Sequence, residues 1–420
     1  MRRVVVVVLD GLRRDLIGEA RTPALARLAQ RAQTFAAHCS VFPSATRVVS
    51  ASMATGCLPA RHELQGNTLA LMENGRLVYH DAGHPEFLQH KRRVTGRSLG
   101  VPTLAERVAP YGGMILFSNV SPGAAYAHDP DGHGHVYHRA GSFGPGRSRL
   151  AGAQALAIAQ HAAGESAMTS RFIDEVLVER RPPVAILWMG EPDATQHIRP
   201  LGSPEHLQVL RQADANAARV FAMVDRLRDR GEDILLIACS DHGHQTVLRV
   251  IDVEAELVAA GLKGSGELGD VVAPSSGTSS LVYVHPDCAA KVDAIGSFLA
   301  SRDWVDRVVP STELASIGLA PQHGLAFAIS LKSDEAPNQF GVPGWSFEAR
   351  PVAGKATHLN CGQHGGLARY EQMPFLMLDG AGFSAGVVAD VPTSPIDIAP
   401  TILAHLQIAA EGMDGRALQG

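Results

Sequence analysis

The sequence predicts an α/β protein: a mainly parallel central sheet sandwiched by helices, with a small α+β insertion. Three observations predict this class. Val4-Val5-Val6-Val7-Val8-Leu9 is an unbroken apolar, β-branched run, the pattern of a strand buried on both faces. Strand-like runs then alternate with helical stretches as far as Cys239, the signature of β-α repeats around a parallel sheet. After Val253 the order changes, and short strands and a helix follow one another in α+β fashion. The expected division is a core of residues 1–252 and 351–420, with residues 253–350 as an inserted cap.

Taken in order, the Val4–Leu9 strand closes at Asp10-Gly11. Open α/β sheets place their chemistry at the C-terminal ends of such strands, although an Asp before Gly is also a common turn. Thr22-Pro23 starts a helix that runs to Ala29, with Pro at the first helical position. Residues Phe35 to Phe42 are expected as a strand leading into Pro43-Ser44-Ala45-Thr46. A small-residue helix then runs to Gly56. Thr46 stands where that helix begins, among unpaired N–H groups and positive partial charge, a setting that favours a bound phosphate. The plainer reading is an N-cap.

Gly56 to Asn67 reads as a loop, Val101 to Ala109 as a helix and Gly113 to Ser118 as a buried strand. Ser121 to Arg149 is rich in Gly, Pro and His and is expected as a long surface loop. It carries His128, His133, His135, His138 and Arg139, either as a metal-binding tract or as a substrate-contacting loop. Ala151 to Glu179 is expected helical. Pro183 to Met189 is a strand running into Glu191-Pro192-Asp193 and His197. His206 to Arg228 is a long amphipathic helix, and Asp233 to Cys239 a core strand ending in Ser240-Asp241-His242-Gly243-His244. The insertion carries strands at Ser280–Val284, Trp304–Val309 and Gly324–Leu331 and a helix at Ala289–Ser301. The chain returns through His364, a strand at Pro374–Leu378 and a helix at Ile396–Leu406.

Composition narrows the function. With 420 residues, 45% apolar and 19% charged, the chain has the make-up of a globular enzyme. A net charge of −5 without a basic run argues against a nucleic-acid polymer as partner. No stretch is long enough to span a membrane. The five cysteines form no CxxC pair, so neither a disulfide framework nor a thiolate zinc site is expected, and reduced thiols fit a cytoplasmic protein.

Three presumed strand ends therefore carry metal-ligand types: Asp10, Asp193 with His197, and Asp241 with His242. His364 follows in Gly362-Gln363-His364-Gly365-Gly366. Asp and His suit Zn²⁺ or Mn²⁺, and no Cys competes. Their order, with Phe42-Pro43-Ser44-Ala45-Thr46 through Thr55-Gly56 and Asp397-Ile398-Ala399-Pro400-Thr401, resembles the alkaline phosphatase superfamily. The closer likeness is to its type I phosphodiesterase/nucleotide pyrophosphatase branch. The resemblance implies two metal ions, usually zinc. One would be held by Asp193, His197 and His364, the other by Asp10, Asp241, His242 and the Thr46 oxygen. It implies Thr46 as the nucleophile, forming a covalent phospho-threonine intermediate, and Asn67 as a hydrogen-bond donor to a phosphoryl oxygen. His244 and Gln363 are candidate supporting or substrate contacts.

The sequence also departs from that pattern. Nucleotide-acting members often carry Lys before the Thr and Phe-Pro-Asn-His after it; here Ala45 and Arg47-Val48-Val49-Ser50 stand there. Glu63 replaces a Gly that commonly follows His62. Arg47 is either a phosphate contact favouring a more anionic substrate or a solvated first-turn residue. The leading expectation is a two-metal phosphodiesterase acting on a small-molecule ester. The alternatives are a phosphonoacetate-type phosphonate hydrolase, a phosphomonoesterase, and an inactive metal-stabilised binding protein. A sulfatase is disfavoured, because its formylglycine derives from Cys or Ser.

Overall fold

The computed structural model describes residues 2–264 and 269–419. Its centre is a ten-stranded sheet. Five of its strands are parallel neighbours, in the order Asp233–Cys239, Arg2–Leu9, Val184–Met189, Met114–Ser118 and His135–His138. Leu376–Asp379 adds antiparallel to Asp233–Cys239, and Gln33–Phe35 and Val388–Ala389 complete that side.

Alternation along the first strand explains the layering. Val5, Val7 and Leu9 pack on one face with Phe172, Val176, Leu210 and Val220. Val4, Val6 and Val8 pack on the other with Val48, Val49, Met53, Ile398 and Ile402. The period-2 geometry of a strand thus sends one continuous apolar run into two separate cores. The long Pro204–Asp229 helix covers the first face, and the Thr46–Thr55 and Ile398–Leu406 helices cover the second.

A four-stranded sheet joins Gln245–Ile251 to Pro343–Ala349, Ser333–Pro337 and Gly362–Gln363. A third sheet of five strands is built from segments between Val271 and Leu331. A hairpin of Thr68–Glu73 and Arg76–Asp81 packs on it through Leu69, Leu71 and Leu77 against Leu281, Tyr283 and Leu325. The Asn74-Gly75 turn, with both residues at positive φ, is the sequence signal that marks this hairpin. No helix among the described residues is long and apolar enough to cross a membrane.

Three expectations are corrected. The strand expected over Phe35–Phe42 ends at Phe35. Beyond it the backbone keeps only an isolated bridge between His38 and Thr393, and side chains add to it: His38 bonds Thr393 (2.9 Å) and Ser40 donates to the Asp241 carbonyl (2.7 Å). The helix expected from Ala151 begins at Ala162, because Gly152 and His161 stand at positive φ. The stretch expected as a surface loop, Ser121–Arg149, holds a helix at Pro122–Ala127. It also holds strands at His135–His138, Ser142–Gly144 and, at its end, Ser148–Leu150, which extend the main sheet. Its histidines do not converge on a common point among the described residues.

Buried histidines make the fold acid-sensitive. Burial lowers His38 and His62 to about 3 and His128 to about 4. The folded state therefore holds fewer protons than the unfolded chain, and stability is lost as pH falls below the unfolded value near 6.5. Each residue contributes about 1.4 kcal/mol of loss at one pH unit below that value. Denaturant midpoints of metal-free protein are expected to drop clearly between pH 7.5 and 5.5. Equal midpoints would contradict the buried neutral state of these rings.

Candidate functional site

The register of the central strands builds the site. Val8 lies beside Cys239, and Leu9 beside Met189, so the three strands end flush at one edge. The turns that follow deliver Asp10, Asp193 and Asp241 to one place. The Thr46–Thr55 helix points its N-terminus at the same edge, with Thr46 as its first residue and Ala45 as a cap that makes no side-chain bond.

Two donor groups result. Asp193, His197, His244 and His364 form one, and Asp10, Asp241 and His242 the other, with the donor atoms of each within 4.8 Å of one another. Asp193 Oδ1 lies 2.7 Å from His244 Nε2, 3.4 Å from His197 Nε2 and 3.6 Å from His364 Nε2. His242 Nε2 lies 3.1 Å from Asp241 Oδ2 and 3.6 Å from Asp10 Oδ1. The rings of His242 and His364 stack at 3.6 Å and join the two groups. Thr46 Oγ1 stands 3.0 Å from His242 Nε2.

The surrounding bonds fix these groups. Trp188 Nε1 donates to Asp10 Oδ2 (2.7 Å), and Gly11 N donates to Asp241 Oδ1 (3.0 Å). Gly11 has φ +68°, and a Cβ there would sit 2.7 Å from His244 Nε2, so glycine is required on both counts. His197 and His364 bond through Nδ1 to the carbonyls of Gly362 (3.1 Å) and Ser44 (2.7 Å), which leaves each Nε2 facing Asp193.

The electrostatics call for a cation. Burial pushes the Asp10 carboxyl well above its usual value, and Asp241 and Asp193 push the same way. Burial would also raise Asp193, but His197 and His244 outweigh it and hold that carboxyl well below the usual range. No Lys or Arg among the described residues pairs with any of the three acids. Asp10 Oδ1 and Asp241 Oδ2 are buried without a hydrogen-bond partner. Burial holds His244 near 3 and His364 well below its usual value, so both are neutral imidazoles, the form that binds metals. Divalent cations fit this donor set.

A cavity of about 530 Å³ opens over the site. Thr46, Asn67, Asp10, Asp193, His197 and His364 line it, while Asp241 and His242 lie fully buried behind its floor. Asn67 Oδ1 accepts the Arg47 N–H (3.2 Å), which leaves the Nδ2 end as the donor for a ligand. Arg47 is not solvated. It lines the cavity, faces Asp81 at 3.4 Å and bonds Ser121 Oγ and the Asn67 carbonyl. Ser121 and Arg139 bring the 121–149 stretch into the lining, whereas none of the described residues of 253–350 reaches it.

Gln363 turns from the cavity to Glu348 and His358. Glu63 has φ +66°, the left-handed conformation that explains why glycine suits this position. Its carboxylate bonds Lys91 and Arg97.

His244, read as a supporting or substrate contact, bonds Asp193 Oδ1 (2.7 Å) and stands among the donors of that group. Other contributors carry no local sequence signal. Trp188 holds Asp10. Glu165, which burial and Glu191 push up to about 8, accepts the N–H groups of Gly190 and Glu191 at the turn into Asp193.

The sequence profile described as Type I phosphodiesterase / nucleotide pyrophosphatase matches residues 4–341. The chain belongs to this family. Membership places it among phosphodiester hydrolases of the alkaline phosphatase superfamily. No curated protein sequence matches it. Among solved structures it is similar to an inactive Thr-to-Ala variant of murine ectonucleotide pyrophosphatase/phosphodiesterase 5 in complex with AMP. That match has 16% identity and a TM-score of 0.70, and covers 99% of this chain and 97% of that one. The human counterpart matches with 15% identity and a TM-score of 0.67, over the same shares of both chains. At these identities the likeness concerns the fold, which agrees with the family's.

Proposed function

We propose that the chain hydrolyses small-molecule phosphodiesters in two displacements, with Thr46 as nucleophile. Asp193, His197 and His364 would hold one divalent cation, and Asp10, Asp241, His242 and the Thr46 oxygen a second, with Zn²⁺ the best match to the donors. When bound, such cations lower the pKa of a coordinated hydroxyl and stabilise charge on the attacking and leaving oxygens. The observation that carries this reading is the Thr46 hydroxyl at a helix N-terminus, 3.0 Å from His242, where both donor groups meet.

The chain's own residues then divide the work. Thr46 Oγ bonds to phosphorus as the leaving-group oxygen departs. Water next attacks the phospho-threonine, the P–Oγ bond breaks and the Thr46 hydroxyl is restored. Asn67 Nδ2 and the Thr46 backbone N–H donate to the non-bridging oxygens. His244 and Trp188 hold Asp193 and Asp10 in place. The test is kcat/KM for a chromogenic phosphodiester against the matching monoester on zinc-loaded protein. A diester preference is expected, and a monoester preference would overturn the reading.

One observation favours the phosphonate or monoester alternative. Arg139 lines the cavity with no carboxylate partner among the described residues; its hydrogen bonds go to Asn119 and the Val120 carbonyl. A charged hydrogen bond to a substrate anion contributes roughly 1.5–3 kcal/mol. Arg139→Gln is therefore expected to raise KM about 10- to 100-fold for a substrate with an anionic leaving group, and to leave a diester with an uncharged leaving group nearly unchanged. Equal effects on both would remove Arg139 from substrate recognition.

A further inference from the structure

We propose a third divalent-cation site, separate from the two donor groups above, formed by Glu73, His80 and His90. The three side chains come from three elements. Glu73 ends the Thr68–Glu73 strand, His80 lies in Arg76–Asp81, and His90 stands on the Phe87–Thr95 helix. Both imidazoles aim Nε2 at one carboxylate oxygen: Glu73 Oε1 lies 2.5 Å from His80 Nε2 and 2.9 Å from His90 Nε2. The two rings are 4.7 Å apart. Among the described residues only three groups bring such donors within 4.8 Å of one another, and the other two are those built around Asp193 and Asp10.

Two imidazoles and one carboxylate are borderline donors matched to Zn²⁺, and three protein ligands leave a coordination position for water. The side chains of Glu73 and His80 are 17% and 18% exposed and that of His90 32%, so an ion can reach the group while most of its surface stays covered. Without an ion, both rings must donate an Nε2 proton to the same oxygen. An ion takes the place of those protons, and each neutral ring keeps its hydrogen on Nδ1.

The location gives such an ion a structural task. The hairpin begins directly after Asn67 and ends at Asp81, which faces Arg47 and accepts the Gly83 N–H (2.9 Å). An ion on Glu73, His80 and His90 clamps the hairpin to the Phe87–Thr95 helix behind this wall of the cavity.

The test compares full-length wild-type protein with Glu73→Gln and with the double variant His80→Gln/His90→Gln. Each is stripped with a chelator, reloaded with zinc, desalted and analysed for zinc per chain. Wild type is expected to retain one more ion per chain than either variant, and to gain more in thermal midpoint on zinc addition. This difference does not depend on how many ions the other two groups hold. Equal zinc content in wild type and Glu73→Gln would overturn the proposal. Gln at 73 keeps the size and the hydrogen-bond acceptor, so that comparison stands even where the double variant fails to fold.

Discussion

Thr46→Ala is expected to lower kcat by on the order of 10⁴-fold or more, the scale on which enzymes lose activity when the nucleophile is removed. The fold should change little, because the one bond lost is that between the Thr46 hydroxyl and His242. Thr46 is the first residue of its helix and Ala45 supplies no side-chain cap, so Ala costs no capping bond and carries a slightly better helix propensity. The Asp193 group contains no atom of Thr46, so its zinc content should stay at the wild-type level. Thr46→Ser keeps the hydroxyl and should retain measurable turnover. Steady-state kinetics with thermal midpoints checks the set, and full activity in Thr46→Ala would remove the nucleophile from the mechanism.

Asp241→Asn is expected to act in opposite directions on the two forms of the protein. In metal-free protein Asp241 sits fully buried beside Asp10 and helps to push the Asp10 carboxyl up. Neutralising it removes that repulsion; His242 gives up its charged neighbour at 3.1 Å but keeps the Thr46 hydroxyl (3.0 Å), and Asn Oδ1 can still accept the Gly11 N–H. The metal-free variant should therefore unfold at a higher temperature than metal-free wild type. With zinc present the order reverses. Cation binding stabilises by mass action, about 4 kcal/mol at a thousandfold excess over Kd, and the variant loses much of that gain. Activity should fall at least about 100-fold, since even residues that only support a metal ligand change activity by 10- to 100-fold. Scans with zinc and with chelator check both signs. The same direction in both would contradict a cation on Asp10 and Asp241.

The metal-ligand types were legible because they stand at strand ends. A buried parallel strand announces itself as a continuous apolar run, and the residue after it lies on the sheet edge by geometry. Asp10 and Asp241 were found that way, as was the turn that carries Asp193 and His197. Thr46 was legible from its place after a Pro-anchored loop at a helix start, and the resemblance then ordered these pieces into one site. The rest depends on contacts distant in sequence. Trp188 reads as one more apolar strand residue until its Nε1 meets Asp10. Glu165 is a helix residue whose partners lie at Gly190 and Glu191. The Ser121–Arg149 stretch reads as a loop because its strands are three or four residues long, too short to show a period. Neither the cavity contact of Arg139 nor the pairing of Arg47 with Asp81 has a local signature.

If phosphorus passes through Thr46, the configuration at phosphorus in the product records it. A phosphorothioate diester of known configuration, turned over in isotopically labelled water by zinc-loaded protein, gives a chiral product readable by phosphorus NMR. Two in-line displacements, on Thr46 and then by water, predict net retention. Net inversion would mean that water attacks the substrate directly, and would contradict the role assigned to Thr46.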